Sequence, residues 1–214
     1  MAPKFRLIYF DLMGRAEGIR LVLEQAGQAY EDERLSDEQW QHIKKEQSHL
    51  APNGYLPTLL LEDGTVLSES KAITRYLARR YGMAGESNLE TAKIDSVADL
   101  LLSVSQTIAP YFAKKYFGNE DEATPIKQEL QKSIPSKLRV FEKILEASSS
   151  GWFYGEQPSW VDLEFADTME RYSEPDGPLE GCLSEFPCIR EHIKKFHNLP
   201  RIRRYLKRRP KSQF

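Results

Sequence analysis

The feature that most constrains this chain is a change in its hydrophobic period near residue 82. Before that point, short apolar runs typical of strands alternate with segments whose apolar residues recur every three or four positions, as on one face of a helix. Beyond it only the helical spacing persists. This pattern predicts a small α/β domain followed by an all-helical domain. We place the domains at residues 1–82 and 83–214, with a polar linker at residues 82–91.

The first domain is predicted to run strand, helix, strand, helix, strand, strand, helix. The strand "KFRLIYF" precedes the helix "AEGIRLVLEQA", for which Gly27 is a natural C-cap, and "AYEDERL" fits a second strand. A polar helix from Asp37 to about Ser48, two strands around the Asp63-Gly64 turn and a helix from about Glu69 to Tyr81 complete the domain. A hairpin that follows a βαβ unit favours the thioredoxin-like architecture.

The second domain is predicted to contain helices and no strand. In "PSWVDLEFAD", Ser159 and Asp162 have the spacing of a capping box, so we interpret the pair as structural. The helices are predicted at 92–117, 124–147, 160–172, 186–198 and 201–209.

Composition excludes several classes of protein. The net charge of −2 and the charged fraction of 29% indicate no general attraction to nucleic acid or to anionic membranes. Cys182 and Cys188 do not form a CxxC motif, so neither a zinc pair nor a dithiol redox site is indicated, and a reducing compartment is expected. The start of the chain does not resemble a secretory signal, and no apolar run is long enough to span a membrane. We predict a cytoplasmic protein with no nucleic-acid or membrane partner.

Three segments in order, "LIYFDLMGRAEGIR", "GYLPTLLLEDG" and "LSESKAITRYL", resemble the cytosolic glutathione transferases. The resemblance covers nearly the whole chain and is greatest to the sigma class, which includes the haematopoietic-type prostaglandin D synthases and the cephalopod lens crystallins. It implies the glutathione transferase fold, with a thioredoxin-like domain that binds glutathione and a helical domain that contributes a hydrophobic substrate site. It also implies a homodimer, glutathione as co-substrate and a small hydrophobic electrophile as second substrate.

The resemblance gives Tyr9 and Arg15 the catalytic roles. Glutathione acts as a nucleophile only as its thiolate, and lowering a thiol pKa from about 8.5 by two units requires about 2.7 kcal/mol. A hydrogen bond to a charged acceptor contributes about 1.5–3 kcal/mol, so the Tyr9 hydroxyl can supply most of that shift. Arg15 is expected to support the thiolate or to orient Tyr9. Without the resemblance, Arg15 is better interpreted as a solvated arginine at a helix start; a cation is unfavourable there, which is a hint of function rather than stability.

The remaining glutathione contacts are also implied by the resemblance. Leu56-Pro57 is predicted to be a cis peptide that offers the backbone of Leu56 to the cysteinyl part of glutathione. Glu69 and Ser70 are expected at the γ-glutamyl group, where a helix N-terminus can bind a carboxylate. Trp40 and Lys44 are expected at the glycyl carboxylate. The predicted set is completed by Gly54, Tyr55 and Asp99, of which Asp99 is equally well interpreted as a solvated helix carboxylate.

The electrophile is expected between the end of the first strand and the beginning of the helical domain. The candidate residues serve equally well as core residues; they are Phe10, Met13, Ser105, Ile108 and Tyr111. The related prostaglandin synthases carry an acidic metal-binding cluster, but this chain keeps Asp95 and Asp99 and has Leu102 and Ser103 farther along, so no metal is predicted.

Several functions remain open at the level of sequence. The same thiolate can conjugate an electrophile, isomerise a prostaglandin endoperoxide or reduce a peroxide. A non-catalytic crystallin-like protein or ligand carrier of the same fold is the main alternative. A nucleic-acid module, suggested by "RIRRYLKRRPK", is disfavoured because the whole chain is almost neutral.

Overall fold

The computed structural model describes residues 4–118, 120–210 and 212. The chain forms two compact units. One contains the residues up to Ala84 together with those from Asn198 onward, and the other is Gly85–His197.

The first unit is built on a mixed four-stranded sheet. Its strands are β1 (Phe5–Phe10), β2 (Glu31–Leu35), β3 (Thr58–Leu61) and β4 (Val66–Ser68), in the spatial order β2-β1-β3-β4. β1 pairs in parallel with β2 and antiparallel with β3, and β3 pairs antiparallel with β4. In the first of its two stretches of sequence, which ends at Ala84, this unit contains the helices α1 (Glu17–Ala26), α2 (Asp37–Glu46) and α3 (Ser70–Arg80). The predicted thioredoxin-like order is confirmed.

Local signals set the ends of two of these helices. α1 ends at Gly27, whose φ of 70° is left-handed and whose N–H donates to the Glu24 carbonyl at 3.0 Å. α2 begins after Ser36, which forms a capping box with Gln39: each side chain accepts a hydrogen bond from the other residue's backbone N–H.

The second unit is helical in the part of the chain that the structure describes. It contains α4 (Asn88–Phe117), α5 (Glu120–Glu146), α6 (Trp160–Ser173) and α7 (Pro187–Asn198). α4 begins earlier than predicted because Ser87 caps it by accepting the Glu90 N–H at 3.1 Å, so part of the predicted linker is helical. α5 also begins earlier than predicted and continues through Pro125, where one helical hydrogen bond is lost.

The helix α8 (Pro200–Arg208) packs with the first unit. Its Ile202 and Tyr205 are buried, and Arg201 donates to the Gln25 carbonyl at the end of α1 at 2.9 Å. The prediction had placed this helix with the domain at 83–214. Helical spacing shows that one face of a helix is buried, but it does not show which element covers that face. None of the helices in the described part of the chain has the length and hydropathy needed to span a membrane.

Candidate active site

Strand register brings three predicted glutathione-binding segments to one end of the sheet. Ile8 pairs with Thr58, and Thr58 pairs with Ser68 on its other side. One step further along these antiparallel ladders, Tyr9, Pro57 and Glu69 come next in register. The end of β1, the turn before β3 and the start of α3 therefore adjoin, although they are far apart in sequence.

Tyr9 presents an oriented hydroxyl at this edge. The residue is 7% exposed, and its hydroxyl oxygen accepts the backbone N–H of Arg15 at 3.1 Å. That N–H belongs to the helical turn 14–16 that leads into α1, so it is one of the free donors of a helix start. Because the oxygen accepts this bond, the hydroxyl proton is left to donate elsewhere, and the bond strengthens it as a donor. The Arg15 side chain is exposed, so its contact with Tyr9 is made by its backbone.

Gly14 makes the close approach of Tyr9 possible. Its φ is +44°, and a Cβ atom at this position would lie 2.6 Å from the Tyr9 hydroxyl oxygen and 2.5 Å from Leu12 Cδ1. Sequence reasoning did not single out Gly14. The available signal was a glycine next to Arg15 at a strand-to-helix turn, which is typical of close backbone packing.

The Leu56-Pro57 peptide is cis, which confirms that prediction. In the preceding loop, Gly54 has a φ of +71° and its N–H donates to the Ala51 carbonyl at 2.8 Å. Tyr55 is 74% exposed, and Leu56 is buried. The roles of these residues toward glutathione remain predictions.

Glu69 has an unusual backbone conformation immediately before α3. Its φ of 69° and ψ of 110° are rare for a residue with a side chain, and such conformations cost about 1–3 kcal/mol and cluster at functional sites. Asn53, which sequence reasoning missed, approaches it with its Nδ2 at 3.4 Å from Glu69 Oε1. Ser70 is the first residue of α3, so it lies where a helix start can bind an anion.

Trp40 and Lys44 lie one turn apart on α2, as predicted, and contact each other. The Lys44 Nζ lies 5.3 Å from the centroid of the Trp40 ring, and Phe10 meets that ring edge-on with centroids 6.1 Å apart. Phe10 also contacts the Tyr9 ring at 5.6 Å. Trp40 is only 9% exposed, so most of its ring packs within the unit. Met13, the other electrophile candidate of this unit, is similarly buried.

The other predicted site residues lie on α4, in the second unit. Asp99 is exposed, whereas Ile108 is fully buried and belongs to the core of that unit. The Tyr111 hydroxyl donates to the Asp176 carbonyl at 2.6 Å, and Ser105 hydrogen-bonds Tyr172, whose pKa is raised chiefly by burial. These contacts give Ile108 and Tyr111 structural roles, which was one of the two interpretations left open by the sequence.

The cysteines and the nearby carboxylates form no strong candidate site. Glu142, Glu146 and Cys188 approach within 4.8 Å of one another, but both Glu142 oxygens accept backbone N–H groups at the start of α7, from Cys188 at 2.8 Å and Ile189 at 3.0 Å. Glu142 therefore caps that helix. The pKa of the Cys182 thiol is raised by burial and then by Glu185, which disfavours its reactive thiolate.

Comparison with known proteins shows matches to one family along most of the chain. A family model described as the N-terminal domain of glutathione S-transferase matches residues 14–80, and one described as the C-terminal domain matches residues 105–209. Glutathione S-transferase 1 of Ascaris suum is 33% identical over 99% of this chain and 100% of its own. The Fasciola hepatica sigma class GST is 30% identical, with a TM-score of 0.86 over 98% of both chains. The structure described as rat hPGDS complexed with a quinoline is 27% identical, with a TM-score of 0.83 over 99% of this chain and 100% of that one.

The chain therefore belongs to the glutathione S-transferase family and has the glutathione transferase fold. Membership in this family implies transferase activity with glutathione as the co-substrate.

Proposed function

We propose that this chain is a sigma-type glutathione transferase that conjugates glutathione to small hydrophobic electrophiles, with Tyr9 as the donor that stabilises the thiolate. The observation that carries the proposal is the Tyr9 hydroxyl, which accepts the Arg15 N–H at 3.1 Å and so has its own proton available for an anion. A sulfur that receives this proton in a hydrogen bond keeps its charge at neutral pH. The ionised sulfur then forms a bond to the electrophilic carbon, and either a leaving anion such as halide departs or, on addition to a double bond, the resulting carbanion takes a proton from water.

Glutathione is proposed to lie along the sheet edge of the first unit, on the predicted glutathione-binding domain at residues 1–82. Leu56 offers backbone groups to the cysteinyl residue, and Glu69 and Ser70 offer a carboxylate and a helix start to the γ-glutamyl group. The Lys44 ammonium, over the Trp40 ring, is a cation for the glycyl carboxylate. The contributions of Gly54, Tyr55 and Asp99 to this site are part of the same proposal. We further propose that residues 83–214 supply most of the electrophile site, and that no resident metal takes part.

The test is the Tyr9→Phe variant with an aryl halide as electrophile. The loss of one hydrogen bond to a charged acceptor, about 1.5–3 kcal/mol, predicts a fall in kcat/KM of about 10- to 150-fold and a matching rise in the pKa of the bound thiol. The thiol pKa is measured by the ultraviolet absorbance of the thiolate in the enzyme–glutathione complex. Tyr76→Phe is the matched control, because Tyr76 lies on α3 and its hydroxyl contacts Arg80.

Two outcomes would contradict the proposal. An unchanged pKa of the bound thiol in Tyr9→Phe would show that Tyr9 does not stabilise the thiolate. A wild-type protein without aryl halide activity at saturating glutathione would favour the non-catalytic crystallin-like or carrier function.

We propose prostaglandin D isomerisation as a second activity of the same thiolate, supported by the structural similarity to rat hPGDS. In this reaction the sulfur attacks an endoperoxide oxygen instead of carbon, so an S–O bond forms as the O–O bond breaks. Loss of the proton on the carbon that bears this oxygen then forms the ketone and releases the thiolate. Incubation with a prostaglandin endoperoxide and glutathione is expected to yield a D-type product in wild type and much less in Tyr9→Phe. A product distribution equal to that of the uncatalysed decay would exclude the activity.

Peroxidase activity is tested by the same comparison of wild type with Tyr9→Phe, with glutathione and an organic hydroperoxide as substrates.

A further inference from the structure

A buried ionic cluster lies directly behind the turn that holds the Tyr9 hydroxyl. The side chains of Arg20 and Glu17 are 0% and 2% exposed, and Arg20 Nη1 lies 3.2 Å from Glu17 Oε2. Charged groups inside a protein are costly unless they are hydrogen-bonded; Nε and Nη1 of Arg20 have such partners, whereas its buried Nη2 has none among the described residues.

Arg20 binds the turn itself. Its Nη1 donates to the carbonyl oxygens of Leu12 at 3.0 Å and Met13 at 3.2 Å. Its Nε donates to Asp32 Oδ1 at 3.0 Å, which ties the guanidinium to β2. The turn is therefore anchored two residues before Arg15, the residue whose N–H orients Tyr9.

Glu17 connects the same cluster to α8. Its Oε1 accepts the Tyr205 hydroxyl at 2.9 Å and Arg209 Nη1 at 3.0 Å. Burial, followed by the Glu17 charge, raises the pKa of Tyr205, so this phenol remains a donor at any working pH. The segment after α8 also contacts the turn directly, because Ser212 Oγ accepts the Met13 N–H at 3.1 Å.

We propose that Arg20 and Glu17 are positioning residues for Tyr9, and that Tyr205 and Arg209 act through them to set the acidity of the bound glutathione thiol. The inference rests on the proposed role of Tyr9. It adds a physical route by which residues about 200 positions away in sequence affect the reacting sulfur. Each link is a hydrogen bond described above: α8 to Glu17, Glu17 to Arg20, Arg20 to the turn and the turn to Tyr9.

The effect on the sulfur follows from geometry. Hydrogen bonds weaken steeply when distance and angle depart from the optimum. If the turn shifts by a few tenths of an ångström, the Arg15 N–H and the Tyr9 hydroxyl lose alignment, and the donor moves relative to the sulfur. Less thiolate is then present at neutral pH, although glutathione still binds.

The test compares Tyr205→Phe and Arg209→Met with Arg208→Met. The first two remove one donor each to Glu17. Arg208 is the matched control, because it carries the same charge at the adjacent position, pairs with Glu24 at 2.5 Å and is 58% exposed. It contacts the face of the Tyr205 ring at 5.8 Å, not the hydroxyl that donates to Glu17. Tyr205→Phe keeps the ring that packs in the interior, so it remains informative if Arg209→Met folds poorly.

In the first two variants the bound thiol pKa is expected to rise by about half a unit to one unit, and kcat/KM near pH 6.5 to fall by about 3- to 10-fold. The deficit in kcat/KM should vanish at a pH above the bound thiol pKa of both the wild type and the variant, because the thiol is then ionised in each protein. Loss of folded protein would instead lower activity by the same factor at every pH. Arg208→Met should match wild type.

Tyr9→Phe, measured alongside, separates the two proposals. If Tyr9→Phe raises the thiol pKa while Tyr205→Phe and Arg209→Met leave it unchanged, the positioning role is wrong and the proposed function stands. If Tyr9→Phe leaves the thiol pKa unchanged, the proposed role of Tyr9 fails first. A deficit that is independent of pH would also overturn the positioning role.

Discussion

Gly14 and Gly64 both have a positive φ but differ in their surroundings. Substituting each by alanine therefore distinguishes the effect of backbone strain from that of a steric clash. At Gly14 (φ +44°) a Cβ atom would meet the Tyr9 hydroxyl at 2.6 Å, whereas at Gly64 (φ +86°) it would have no neighbour within 4 Å. Alanine in a left-handed conformation costs about 1–2 kcal/mol at either position. Only Gly14→Ala also displaces the Tyr9 side chain, which we propose as the donor to the sulfur.

We therefore expect both alanine variants to lose stability in urea unfolding, and only Gly14→Ala to lose more than about 10-fold in kcat/KM with a raised thiol pKa. Equal activities of the two folded variants would show that the Tyr9 ring moves aside at no catalytic cost.

The cysteines provide a prediction about pH. Desolvation, followed by the Glu142 carboxylate, raises the pKa of Cys188, and burial raises that of Cys182. A raised pKa means less thiolate at a given pH, so iodoacetamide should alkylate both residues more slowly than the cysteine of an unstructured peptide at about pH 7.5, with the rate still rising at about pH 9. Site-resolved mass spectrometry checks this. Alkylation faster than that of the peptide cysteine at either residue would contradict it.

At the scale of the element, α6 depends on one buried carboxylate. Asp162 is fully buried; its oxygens accept the N–H of Phe153 at 2.8 Å and both the N–H and the hydroxyl of Ser159, at 2.8 and 2.5 Å. His192 lies 2.9 Å from the same carboxylate. The capping box predicted from the sequence is thus present, within a larger network.

Asp162→Asn is expected to lower the free energy of unfolding by about 2–4 kcal/mol, because an amide nitrogen replaces an acceptor that faces donors. Glu191→Gln is the control in the same unit: its ion pair with Lys194 is 3.0 Å long, but the two side chains are 70% and 73% exposed, so its loss should change stability by less than about 0.5 kcal/mol. Urea unfolding of the two variants measures the difference. Similar stabilities would show that the network relaxes around the amide.

The elements also show what the sequence can predict. The strand and helix periods, the Gly27 cap and the Asp162 box are local signals that were predicted correctly, whereas the cis Leu56-Pro57 peptide was predicted from the family resemblance. The docking of α8 and the bonds of Arg20 and Glu17 were missed, because they join positions that only the folded chain brings together. Likewise, the sequence around Glu69 does not predict its positive φ, since glutamate has no preference for that conformation.

At the scale of the whole molecule, the family resemblance leads us to propose a homodimer. Tyr55, Leu89 and Leu102 expose 74%, 67% and 39% of their surfaces, so each offers apolar area that a second copy could cover. Sedimentation equilibrium is expected to give twice the mass of one chain at micromolar concentration. A single-chain mass together with full conjugating activity would show that the site is complete without a partner.

The return of α8 to the first unit has a consequence for synthesis. During translation, α1 leaves the ribosome long before residues 200–209 have been joined to the chain. Until then the Glu17 carboxylate lacks both of its donors, Tyr205 on α8 and Arg209 directly after it, and the surface of α1 later covered by α8 is open to water. A nascent chain stalled after α3 should therefore recruit chaperones and resist protease poorly, even though every strand of its sheet has already been made.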